Sequence, residues 1–161
     1  MKNKLTIDEK FVDLITSGKM DKVLFLEILH SCDIENPDKI KEDLIDVFLS
    51  VVYNIVEDKK ITNEEIIQAK NLKTIFEIRE GDLYQSSKDI IQIILCLQVS
   101  HFMVDGKLSD EEEIENVNFQ ELFDLGYDQY LEMYNKCFTN HVIKKAVKNI
   151  KIRNLFKNHL K

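Results

Sequence analysis

Proline occurs once in these 161 residues, tryptophan not at all, glycine four times and cysteine three times. Each scarcity removes a class of answer. Tight turns lean on proline and glycine to set backbone angles, so this chain lacks the material for the many reversals of an all-β sandwich. Four glycines are also too few to build a backbone cradle for phosphate, and neither a Gly-x-Ser-x-Gly elbow nor an HExxH pair occurs. Three cysteines make an odd number without a dense framework, which fits thiols in a reducing interior. Long apolar runs are missing too. The most apolar stretch, residues 90–104, is 15 residues long and carries Gln92, Gln98, Ser100 and His101, so no membrane span is expected. The first eight residues become charged again where a signal peptide would need its apolar core, and cytoplasmic location is the expectation.

What the chain does have is helical spacing. Hydrophobic residues make up 44% of it, enough for one domain over residues 1–161 with a real core. Thr6 and Glu9 stand at capping-box spacing before a face of Ile7, Phe11, Leu14 and Ile15, which Gly18 closes. A short helix follows from Met20 to His30, and Asn36-Pro37 supplies an N-cap with proline in the first turn. From Ile40 the set Leu44, Ile45, Phe48, Val51, Val52, Ile55 and Val56 predicts a helix to about Asp58. Thr62 with Glu65 opens the next, whose apolar face is Ile66, Ile67, Leu72, Ile75 and Phe76, and Glu80-Gly81-Asp82 breaks it. Residues 90–104 are apolar nearly all round, as befits a helix in the middle of a bundle. Ser109 with Glu112 begins a helix carrying Ile114, Phe119, Leu122 and Phe123, and the remainder reads as one or two helices with a break near Thr139-Asn140. The fold class is all-α, with about seven helices.

Sliding the chain along itself reveals a repeat at an offset of 47 residues, with units at about 44–78 and 91–125. Leu44 meets Ile91, Val47 meets Ile94, Phe48 meets Leu95 and Val52 meets Val99; downstream, Ile67 meets Ile114, Leu72 meets Phe119, Ile75 meets Leu122, Phe76 meets Phe123 and Ile78 meets Leu125. Each unit is an apolar helix, an Asp, an apolar plug (Ile61 or Leu108), a hydroxyl cap and a helix with an acidic start. Asp105-Gly106-Lys107-Leu108-Ser109-Asp110-Glu111-Glu112, with its weaker copy at residues 58–65, resembles the TerB-like (tellurite-resistance protein B-like) family of duplicated helical domains. The resemblance implies a stress- or conflict-response context, a cytoplasmic protein without established catalysis, and divalent-cation association through Asp58, Glu65, Asp105 and Glu112. The first copy lacks the glycine.

Rival chemistry is poorly supplied. An EF-hand aligned on Gly106 would need oxygen ligands at His101 and Met103, and in the other copy at Asn54 and Val56; of these four only Asn54 carries a side-chain oxygen. Cys137 and His141 could face one way as half a zinc site, but no second pair is near in sequence. No carboxylate pair is marked for acid–base work, so no enzyme activity and no cofactor is expected. Charge is more informative. Residues 105–128 hold nine acids against Lys107 alone, whereas residues 141–161 hold seven bases and no acid, on a segment expected to form a basic C-terminal helix. The net charge of −7 is thus −14 over residues 1–140 and +7 beyond. The body should not seek nucleic acid; only the C-terminal helix escapes that argument. The expected contact face for a protein partner is Asp110, Glu111, Glu112, Glu113, Glu115, Glu121, Asp124 and Asp128. An immunity-type protein covering a cationic toxin would use the same face. A metal-sensing protein, or an enzyme of a type without a recognisable motif, is also compatible with the sequence.

Overall fold

Four helix starts among the described residues follow from single short polar side chains. Asp8 and Asp21 each accept a hydrogen bond from the backbone N–H three residues on, at 2.9 and 2.8 Å, and Thr62 and Ser109 head full capping boxes. In the computed structural model, residues 5–102 and 109–139 are described, and every regular element among them is helical. The helices are α1 (Glu9–Thr16), α2 (Lys22–Ser31), α3 (Lys41–Asp58), α4 (Asn63–Ile75), α5 (Asp82–Phe102), α6 (Asp110–Leu122) and α7 (Tyr127–Thr139). A 3-10 turn at Pro37–Ile40, capped by Asn36, leads into α3. None of these helices is long and apolar enough to cross a membrane.

Two local expectations need correction. The cap of α1 is Asp8 rather than Thr6, because a carboxylate nearer the helix outcompetes the hydroxyl. The helix expected to begin at residue 90 begins at Asp82 instead, across a kink at Ser87 where the backbone leaves helical angles (φ −144°, ψ 35°). The basic segment at residues 141–161, the loop with Met103, Asp105, Gly106 and Leu108, and His141 lie outside the described residues.

The repeat is physical. An offset of 47 carries both ends of α4 onto both ends of α6. It also carries Glu77 onto Asp124, and both have positive φ (57° and 52°). At each, the helix closes with paired backbone bonds and returns a buried apolar residue, Ile78 or Leu125, to the core. Gly18 and Asp33 close α1 and α2 in the same left-handed way. Matched positions are buried together: Leu44 with Ile91, Phe48 with Leu95, Val52 with Val99, Phe76 with Phe123.

Packing places α5 between α3 and α7, with α4 against α6. The partners run in the same direction. His101 Nε2 near the end of α5 lies 2.7 Å from the Val56 carbonyl near the end of α3. Between α4 and α6, Lys60 reaches Glu115 at one end and Lys73 reaches Asp124 at the other. One apolar cluster runs through all elements. Its aromatic contacts join α6 to α3 (Phe48 and Phe123, 6.4 Å between ring centroids) and α2 to the end of α4 (Phe25 and Phe76, 5.2 Å). Each fully buried phenylalanine contributes about 1.5–3 kcal/mol by leaving water.

The cysteines also depart from expectation. Cys96 of α5 and Cys137 of α7 form a disulfide, and Cys32 is free. Cys137 is therefore not half of a zinc pair. The odd count, which points to free thiols, misses this pairing because the pairing depends on α7 lying beside α5.

Candidate functional site

The acidic residues of α6 divide into those already engaged and those facing outward. Glu112 accepts the Ser109 backbone N–H at 2.8 Å while its own N–H donates to the Ser109 hydroxyl at 3.2 Å. Glu65 does the same at the start of α4, accepting from the Thr62 N–H and hydroxyl and from Lys59 at 2.8 Å. Burial opposes ionisation of Glu65, yet Lys59 and the two Thr62 donors outweigh it and hold the carboxyl below its ordinary range. These two carboxylates turn back onto their own helices. Side-chain placement of Asp58 and the whole of Asp105 lie outside the described residues. Among the described residues no group of three His, Cys, Asp or Glu side chains is arranged to hold a metal ion.

Three further acids tie the second unit to the first. Glu115, only 13% exposed, lies 3.4 Å from Lys60; Glu121 accepts from Lys70 at 2.8 Å; Asp124 accepts from Lys73 at 2.8 Å. Lys70 holds the Glu121 carboxyl below its ordinary range. Lys73 also donates to the Leu122 carbonyl at 3.0 Å, satisfying a free end of α6. Lys22 does likewise for α4, donating to the Ile75 carbonyl at 3.1 Å and pairing with Glu77. So Glu112, Glu115, Glu121 and Asp124 serve the fold first. Asp110, Glu111, Glu113 and Asp128 are exposed, with no ion pair among the described residues.

Beside the first three acids lies an apolar patch, two of whose members, Ile67 and Ile114, the sequence pattern places on the apolar faces of their helices. Ile67 and Ile114, matched across the repeat, are both 59% exposed, and Val117 is 55% exposed. Asp110, Ile114, Val117 and Glu121 share one face of α6 at helical spacing. Asn63 and Lys70, which flank Ile67 on α4, bond to Asn118 and Glu121 of α6 at 2.9 and 2.8 Å. The three apolar side chains therefore flank one inter-helix seam, with the acids at the α6 end of it. Periodicity alone misplaces Ile67 and Ile114 because a face wide enough to be buried at its centre is exposed at its edge.

A separate cleft of about 310 Å³ opens between α1, α3 and α4. Val51, Ile55 and Leu72 form its apolar floor, Asn54 and Gln68 its rim, and Glu65 is its single ionisable lining residue. With that carboxylate engaged in the cap of α4, the cleft offers no paired acid and base. No protein-family model, curated protein or solved structure matches this chain.

Proposed function

We propose that this chain is a cytoplasmic, TerB-like binding domain that performs no reaction of its own and docks a basic protein segment on the outward face of α4 and α6. The observation that carries the reading is the patch of Ile67, Ile114 and Val117 bordered by Asp110, Glu111 and Glu113. Apolar side chains give such a contact its affinity, and the surrounding carboxylates select and steer a cationic partner. The complementary partner is an amphipathic segment with Lys or Arg flanking aliphatic residues. A cationic toxin is one such partner. The duplicated capped turns and the all-helical fold support the family reading.

The test is affinity capture from the source organism with three baits. Wild type should retain a basic protein that elutes with salt. Asp110→Lys combined with Glu113→Lys should weaken retention at least about tenfold, rim charge pairs contributing about 0.2–1 kcal/mol each and reversal adding repulsion. Ile114→Asp should abolish it. Equal capture by all three baits, or recovery of nucleic acid alone, would sink the proposal.

A further inference from the structure

We infer that the Cys96–Cys137 bridge is a redox clasp: it holds α7 against α5, and reduction by a dithiol releases α7 while the rest of the fold stays closed.

The bridge joins residues 41 apart in sequence, and both cysteines are only half-buried, so a reductant has a path to the sulfurs. Among the described residues, few side chains of α7 are fully buried. Met133 is its one fully buried side chain among the described residues; Tyr130, Tyr134 and Cys137 are half-buried, while Tyr127, Leu131 and Phe138 are exposed. The Lys136–Glu132 pair lies within α7, and the charge of Lys88 on α5 reaches Glu132 from across the seam. Across the seam, Gln92 Nε2 donates to the Met133 carbonyl at 2.7 Å. Detached, a 13-residue helix is marginal in water, where isolated helices need more than about 12–15 residues even in favourable sequences. Released, α7 unravels.

Gln92 also gives the chemistry a direction. Its amide nitrogen lies 3.2 Å from Cys96 Sγ and 3.5 Å from Cys137 Sγ. A thiolate of the dithiol attacks Cys137 Sγ, the Sγ–Sγ bond breaks, and Cys96 leaves as a thiolate stabilised by the Gln92 N–H before taking a proton. The second thiol of the reductant then attacks the mixed disulfide and frees Cys137. Two electrons and two protons pass to this protein, and the dithiol becomes a disulfide. A disulfide-bearing oxidant runs the same exchange backwards.

Hydrogen exchange on the full chain, equilibrated with oxidised or reduced dithiothreitol, reads the result. Reduction should speed exchange across residues 127–139 by at least about tenfold and leave residues 41–75 and 110–122 within about twofold, the pattern of a local opening. Cys96→Ser should match the reduced protein in both buffers, and Cys32→Ser should follow wild type. After oxidation, the unfolded chain should titrate with one thiol, that of Cys32. Three thiols, equal protection of α7 in both buffers, or a rise in exchange spread through α3, α4 and α6 would each overturn the clasp.

Discussion

Lys73 shows how much one side chain can hold together here. Its ammonium meets the Leu122 carbonyl and Asp124 with both side chains largely out of water (14% and 18% exposed). Asp124 stands in the left-handed region, and its second carboxylate oxygen is buried without a partner. Lys73→Met keeps the aliphatic stem and removes the charge, leaving the carboxylate wholly uncompensated. Urea denaturation should register a loss of about 2–4 kcal/mol, with Asp124→Asn restoring part of it in the double variant. A loss under about 0.5 kcal/mol would show the pair to be incidental. Tyr130 presents the opposite case, a buried hydroxyl without a hydrogen-bond partner. Burial, helped by Tyr134, pushes its phenol up to about 12. The folded state thus favours the neutral form, so this contribution to stability is complete below about pH 10, where a free tyrosine titrates, and is lost as pH rises toward 12. Tyr130→Phe should match or exceed wild-type stability at neutral pH, by up to about 1 kcal/mol, and lose less of it on alkaline titration followed by circular dichroism.

At the scale of elements, the two capping boxes are the features that spacing alone made legible. A hydroxyl and a carboxylate three residues apart can satisfy each other's backbone groups with no help from the rest of the chain. Thr62→Ala and Ser109→Ala should each lower the unfolding free energy by about 1 kcal/mol. The α4 cap should also carry an acid signature. Because the Glu65 carboxyl is held below its unfolded value of 4.5, its stabilisation is present above that pH and disappears as pH falls through the folded value. Glu65→Gln should therefore flatten that part of the acid melting curve, and an unchanged curve would remove Glu65 from the account. Other elements were not legible for definite reasons. Thr6 and Asp8 both suit a cap, and sequence does not rank two acceptors so close together. Gly81 and Asp82 look like a break, yet α5 runs on from them because Leu83 is drawn into the core and the kink at Ser87 absorbs the misfit. The acids of α6 announced a charged surface, but not that Glu115, Glu121 and Asp124 meet lysines some 51–55 residues away. The bond between Cys96 and Cys137 was hidden in the same way: it belongs to the packing of α7 on α5.

For the whole molecule, the question is whether a duplicated chain folds as two parts or one. Each unit has its own capped turn and its own αL closure, so local order is written twice. The core is written once. A single apolar cluster extends from Leu5 to Met133, and within it Phe123 of the second unit meets Phe48 of the first. The lysines of the first unit, Lys60, Lys70 and Lys73, meet the acids of the second, so neither unit has its own complement of charge. Removing one unit would expose the apolar faces of α3 and α4 at once, a penalty no single capped turn offsets. Thermal unfolding of the oxidised protein should therefore be one cooperative event, with far-ultraviolet circular dichroism and tyrosine fluorescence giving coincident midpoints. The calorimetric and van't Hoff enthalpies should agree. Phe119→Ala, far in sequence from the first unit, should lower both midpoints together, by the shift that about 3–5 kcal/mol produces, and never split them. Two resolved transitions, in wild type or in this variant, would mean that the repeat is a pair of folding units that merely touch.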